Sequence, residues 1–146
     1  MAYVVDASVG IKLFVEENLS EEAHALFARL TTEPPAEFHV PDLFYIECAN
    51  ILWKYVQRLH YSAKLARQDL ERLGKLAIHD TATSQLMVDA LDIAVKHGIT
   101  AYDACYVALA GQLGLPLITA DEKLARMLAG KEYVVHWLGN FPLPAD

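Results

Sequence analysis

The chain has 146 residues, 54% hydrophobic and 21% charged, which is the size and composition of one compact domain and excludes intrinsic disorder. Seven glycines and six prolines exclude fibrous and low-complexity architectures, and no apolar run approaches the roughly 20 residues of a membrane-spanning helix. Twelve Lys and Arg against nineteen Asp and Glu give a net charge of -7, which excludes indiscriminate wrapping of nucleic acid by a basic surface.

Residues 1–146 therefore read as a single domain, and an N-terminus that opens into MAYVVDAS without the basic flank of a signal peptide gives the cytoplasm as the expected location. In chain order, AYVVD is a β-branched strand ending in an acid, and SVGIKLFV carries helical spacing. Ser20 is the expected cap of EEAHALFARL, Thr31 to Pro35 a breaker, and EFHV a second strand stopped by Pro41. A long helix is predicted from Asp42 to His60, then a helix AKLARQDLERL capped by Ser62 and stopped by Gly74, then a third strand, KLAIHD. Thr83 to His97 is predicted as a helix closed by Gly98, and Thr100 as the cap of AYDACYVALAGQL, which ends at Gly114. PLIT is a fourth strand, Asp121 begins the helix DEKLARMLA, YVVHW is a fifth strand, and Leu143 to Asp146 is expected to fray. Strands alternating with helices, without a hairpin signal, imply an α/β fold with a parallel sheet covered on both faces. In such sheets the ligand crevice lies beyond the carboxyl ends of the strands, where Asp6 and Asp121 fall.

The informative acids are those on faces that should be apolar, because a buried carboxylate is costly unless paired or metal-bound. Asp103 is the only charge in a row made by Ile99, Thr100, Tyr106, Val107 and Ala110. Glu47 and the amide Asn50 interrupt the row Leu43, Phe44, Ile51. Asp89, Asp92 and Lys96 form a polar row of their own, and Glu16, Glu17, Glu21 and Glu22 read as a loop and a solvent-facing first turn. Asp6 and Asp121 each have a plain alternative as helix caps, Asp103 as a first-turn acid and Glu47 as an edge residue. Taken together, two strand ends and two flanking helices would bring Asp6, Glu47, Asp103 and Asp121 into one crevice, where two carboxylates about 4 Å apart repel by roughly 4 kcal/mol at an effective dielectric of 20. Such a cluster calls for cations, and an all-oxygen donor set favours Mg²⁺ or Mn²⁺ and the hydrolysis of a phosphodiester. Ser8 and Thr119 are candidates to orient ligands or waters, with local turn and cap roles as the alternative, and Asn50 is a third such neighbour.

The segments DASVGIKLFVEE, PDLFYIECANILW, GITAYDACYVALA and LPLITADEKLA resemble, in order, the motifs of PIN-domain ribonucleases, particularly VapC-type toxins, over almost the whole chain. The resemblance implies a PIN-like α/β/α sandwich around a parallel sheet of about five strands. It also implies a Mg²⁺- or Mn²⁺-dependent endoribonuclease, often a homodimer neutralised by a cognate antitoxin. Matched residue by residue, it puts the four metal-ligand acids, which are also the catalytic residues, at Asp6, Glu47, Asp103 and Asp121, the small hydroxyl at Ser8 and the threonine at Thr119. An antitoxin of this kind would set a basic side chain into the acidic crevice.

Residues 54–75 hold six Lys and Arg against two acids, with Tyr55, His60 and Tyr61 interleaved, so this stretch reads either as a track for an RNA backbone or as a solvated helix pair or dimer surface. A stand-alone PIN nuclease of RNA processing is the nearer rival to the toxin. A phosphoaccepting receiver domain would use Asp80, but it lacks paired acids after the first strand and a Lys after YVVHW. A dehalogenase-like phosphatase would want Asp-x-Asp where Asp6-Ala7-Ser8 stands, and the Gly-rich turn of a dinucleotide site is missing. Cys48 and Cys105 have no metal or disulfide spacing and read as core.

Overall fold

The computed structural model describes residues 1–142, so the expectation for Leu143 to Asp146 lies outside the described residues. Five strands, β1 (Ala2–Val5), β2 (Glu37–Pro41), β3 (Ile78–Thr81), β4 (Leu117–Thr119) and β5 (Val135–Trp137), form one sheet in the order β3-β2-β1-β4-β5. All four pairings are parallel, with Val4 beside His39 and Leu117, Phe38 beside Ile78, and Leu117 beside Val135. β1, β2 and β4 lie inside the sheet, and Val4, Val5, Phe38, Val40, Leu117 and Ile118 are fully buried, which is why these strands read as apolar runs rather than alternating ones. The chain steps one way from β1 to β3 and then returns past β1 to β4, so the order reverses between β1 and β4 and a crevice opens beyond their carboxyl ends.

Seven helices make the crossovers: α1 (Ala7–Gly10), α2 (Ser20–Ala28), α3 (Leu43–Leu59), α4 (Ala63–Leu73), α5 (Met87–His97), α6 (Ala101–Leu113) and α7 (Glu122–Leu128). α6 packs against β1, β2, β4 and α5, and its residues Ala104 to Ala110 are all buried. A helix apolar all round belongs inside a domain, which explains why Asp103 is its lone charge. α3 is anchored at its start by a lock between chain segments: Asp42 Oδ1 accepts from the Thr83 amide at 2.8 Å and from the Thr83 hydroxyl, whose oxygen accepts from Leu43 N at 3.0 Å. That lock fixes where the α3 side chains rise above the sheet. Among the described residues no helix is long and apolar enough to cross a membrane.

Several local expectations are corrected. Ser20 does not cap α2; Leu19, with φ of 69°, precedes the helix, and the Ser20 hydroxyl instead accepts from Glu17 N and donates to the Val15 carbonyl. The segment after β1 is one turn of α-helix tightened into a 3₁₀ turn over Ile11–Leu13, so the two turns present Val9, Gly10 and Ile11 to the core. Glu17 is not merely solvated: it takes the buried Lys12 ammonium at 2.8 Å and the Tyr55 hydroxyl, fastening this turn to α3. α4 does end at Gly74, but with φ of -65°, so the stop does not use the left-handed freedom that Gly98 and Gly114 use at φ of 68° and 65°. Thr83–Gln85 is a separate 3₁₀ turn before α5, β3 begins only at Ile78, and both cysteines are buried as expected.

Candidate active site

Asp6 leaves β1 as the N-cap of α1, its Oδ1 accepting from Val9 N at 3.3 Å and from the Ser8 hydroxyl at 2.5 Å. Asp121 follows β4 by two residues and caps α7 through Leu124 N at 3.2 Å. The capping roles weighed for both residues are therefore real, and they are also what fixes these carboxylates at the mouth of the reversal crevice. The Ser8 oxygen accepts from Ala120 N at 3.0 Å, and Thr119 Oγ1, fully buried, accepts from Asp121 N at 3.1 Å. Ser8 thus donates toward one strand exit and accepts from the other, which only a hydroxyl can do in that space.

Asp103 stands in the first turn of α6, where Thr100 caps the helix by accepting from Asp103 N at 3.1 Å. Glu47, one turn into α3, accepts at 2.5 Å from the Tyr106 hydroxyl on the next turn of α6. Tyr106 is 2% exposed and was read in the sequence only as part of Asp103's apolar row. The signal that could have marked it is its phenol, since a buried tyrosine in a row of small and aliphatic residues needs a polar partner. Asn50 is exposed on the turn after Glu47, and the two line one groove along α3.

Three of the acids feel the charge of a neighbouring carboxylate. Asp6 is pushed up to about 6 by burial first, with the Ser8 and Thr119 hydroxyls opposing and the Asp103 charge adding to the rise. Burial and then the Asp103 charge hold Glu47 above the usual carboxylate range against the Tyr106 hydrogen bond. Burial and then the Asp121 charge do the same to Asp103. Among the described residues none of the four forms an ion pair with Lys, Arg or His, so the crevice has acceptors and negative charge without a compensating cation. Burial also raises the Tyr106 phenol, with the Glu47 charge the next cause, which keeps it a donor.

This donor set suits a hard divalent cation: it is all oxygen, and it includes a carboxylate only 6% exposed with no cationic neighbour. No three His, Cys, Asp or Glu side chains among the described residues close into a ready-made cage.

Residues 3–128 match the PIN domain family. The chain is 40% identical over 129 residues to Ribonuclease VapC3 of Pyrobaculum aerophilum, covering 86% of this chain and 93% of that one. It is 32% identical over 122 residues to Ribonuclease VapC9 of Mycobacterium tuberculosis, covering 84% and 87%. A crystal structure of a Pyrobaculum aerophilum protein superposes with a TM-score of 0.62 at 29% identity, covering 90% of each chain. The five-stranded parallel sheet and the family match over most of the sequence agree, and this chain belongs to the PIN-domain family.

Proposed function

We propose that the chain is a metal-dependent endoribonuclease, the toxin of a toxin–antitoxin pair, acting in the cytoplasm as one domain spanning residues 1–146. Asp6, Glu47, Asp103 and Asp121 are its metal-ligating and catalytic acids, and Mg²⁺ or Mn²⁺ is the ion. What supports this reading is that Asp6, Glu47 and Asp103 each feel a neighbouring acid's charge and that none of the four acids has an ion-pair partner among the described residues. The curated relatives named as VapC ribonucleases support the choice of RNA and of a toxin.

A bound divalent ion supplies a Lewis acid for a phosphate oxygen and for the attacking water. The chain's own part is to hold acceptors in place before the ion arrives. Ser8 and Thr119 pin the two strand exits that carry Asp6 and Asp121, Thr100 sets the α6 turn that carries Asp103, and Tyr106 holds Glu47. With their repulsion unrelieved, the four acids also disfavour a phosphodiester until a cation is present. A cognate antitoxin is part of this reading, with a basic side chain as the natural complement to the crevice. So is a homodimer, for which the exposed row Val88, Leu91 and Val95 on α5 is the supporting surface.

The test is cleavage of structured and unpaired RNAs by the purified protein with Mg²⁺, Mn²⁺ or EDTA, beside Asp6→Asn and Asp103→Asn preparations. Cutting should require the ion and fall by at least about a hundredfold in each variant, in line with the loss of a group that stabilises the transition state. Cutting that survives EDTA or either substitution would sink the four-acid assignment.

Tyr106→Phe probes the supporting contact alone. It should cost about 1 kcal/mol of stability, because Glu47 is half-buried and can take water in place of the phenol. It should lower kcat about tenfold, through a looser Glu47, with little change in KM. Thermal unfolding and steady-state cleavage of the same preparation read both effects.

A further inference from the structure

Along the chain no two of the six histidines stand at a chelating spacing, yet the sheet brings two of them side by side. His39 on β2 and His79 on β3 are register partners, and their rings lie face to face with centroids 4.9 Å apart and planes inclined by 23°. Parallel neighbours in register project from the same face of a sheet, so the backbone itself sets this pairing. Glu37, two residues before His39, shares that face, and its Oε2 stands 3.6 Å from His39 Nε2. Asp80 alternates to the other face, where its charge reaches Tyr45 of α3.

Two features separate this cluster from an ordinary polar surface. Glu37 has no Lys or Arg partner among the described residues, so the carboxylate beside the imidazoles is left for another cation. β3 is the edge of the sheet, His79 is exposed and the His39 side chain is 20% exposed, so solvent reaches both rings. Two imidazoles and a carboxylate are the donors of a borderline-soft divalent ion such as Zn²⁺, with water as the fourth ligand, and differ from the all-oxygen set that suits Mg²⁺. Ligands about 2.0 Å from a tetrahedral ion stand about 3.3 Å from one another, close to the 3.6 Å between Glu37 and His39. The stacked rings do not themselves enclose an ion. His79, exposed at the edge, can swing a nitrogen to the side of His39 Nε2 without opening the core.

We propose that Glu37, His39 and His79 bind a Zn²⁺ ion on the outer edge of the sheet, joining β2 to β3 within one chain. This site is separate from the acid crevice, which lies beyond the carboxyl ends of β1 and β4, and it stands whether or not the chain is a nuclease. Its consequence is mechanical. The Thr81 carbonyl at the end of β3 accepts from Asp42 N at 2.8 Å, and Asp42 in turn holds Thr83. Fastening β3 to β2 therefore also fastens the strand end from which the start of α3 is hung.

The probe is Zn²⁺ alone, titrated calorimetrically into the wild-type chain with millimolar Mg²⁺ present to compete for the acid crevice. About one ion per chain should bind. His39→Gln and His79→Gln should each weaken binding by at least about tenfold, Glu37→Gln by several-fold, and Asp6→Asn should leave it unchanged. Zn²⁺ should raise the unfolding midpoint of the wild type and not that of His79→Gln, because only the native sheet holds the two histidines in register. Should a histidine variant fold poorly, the wild type answers by itself: stoichiometric Cu²⁺, which favours the same donors, should show an electron paramagnetic resonance spectrum split by two imidazole nitrogens.

Zn²⁺ affinity indifferent to His79→Gln or to Glu37→Gln overturns the three-donor site, as does a Cu²⁺ spectrum split by a single imidazole. Affinity lost in Asp6→Asn overturns it too, by giving the ion to the crevice. So does a zinc-dependent dimer in sedimentation with about one ion for two chains, which would place the ligands between copies.

Discussion

Replacing Asp6 by Asn should abolish RNA cleavage and, in EDTA at neutral pH, make the protein more stable by about 2 kcal/mol. The reason is the carboxylate's position. Burial pushes Asp6 from 3.8 up to about 6, so the folded chain holds a proton that the unfolded chain has already released between those values. In that window the unfolded state binds fewer protons, and stability therefore falls as pH rises from about 4 to about 6 and stays at the lower value above it. A shift of this size corresponds to about 3 kcal/mol, and the amide, whose NH₂ finds no made-to-measure acceptor, returns most but not all of it. Asn is the right probe because it caps a helix as well as Asp does, so the Val9 bond of α1 survives. Urea unfolding at pH 4, 5, 6 and 7.5 should show the two curves coincide at the acid end and separate by pH 6. Millimolar Mg²⁺ or Mn²⁺ should then stabilise the wild type and leave the variant unmoved, since an ion that binds only the native site adds its binding free energy to folding. An Asp6→Asn protein less stable than wild type at pH 7.5 would mean that the Ser8 and Thr119 hydroxyls stabilise the carboxylate by more than its burial costs.

That residue also marks how far the sequence could be read. Strand order was not legible, but alternation of strands and helices was, and with it the rule that ligands meet an open parallel sheet at the carboxyl ends of its strands. Asp6 and Asp121 could be placed at that edge because each follows an apolar run and precedes a helix. Asp103 could be singled out because α6 is buried on all sides and tolerates a charge only at its first turn. What could not be read was anything set by side chains from distant segments. The Asp42–Thr83 lock, the Lys12–Glu17–Tyr55 link and the Tyr106 hold on Glu47 each join residues 38 to 59 positions apart, or close through a loop whose course periodicity does not encode. Tyr55 and Tyr61 were visible as aromatics among bases, yet whether a ring is free to stack depends on where its hydroxyl goes, and here both are engaged within the fold. Ser20 misled because a serine before an apolar run looks like a cap whether its oxygen faces forward to the helix or back to the loop.

Gly10→Ala should destabilise the protein by about 1–3 kcal/mol and lower cleavage by more than the loss of folded molecules explains. A Cβ at this position would stand 2.7 and 2.8 Å from two ring carbons of Phe44. The glycine is needed for closeness and not for its backbone, which is right-handed with φ of -60°. The ring has nowhere to retreat: Phe44 is fully buried and packs edge to face on Tyr45 at 5.3 Å. The added methyl must therefore push α1 and α3 apart. Asp6 lies four residues before Gly10 and Glu47 three after Phe44, each about one turn from the contact, so the wedge changes the separation of the two acids that this crossing sets. Phe44→Leu in the Gly10→Ala background should recover part of both losses, giving a double-mutant coupling well above about 0.5 kcal/mol. Circular dichroism and cleavage measured on the four proteins of the cycle decide it. Additive effects would mean that the gap between α1 and α3 is not what holds the first two carboxylates in register, and the placement of Glu47 would then rest on Tyr106 and the Asp42–Thr83 lock alone.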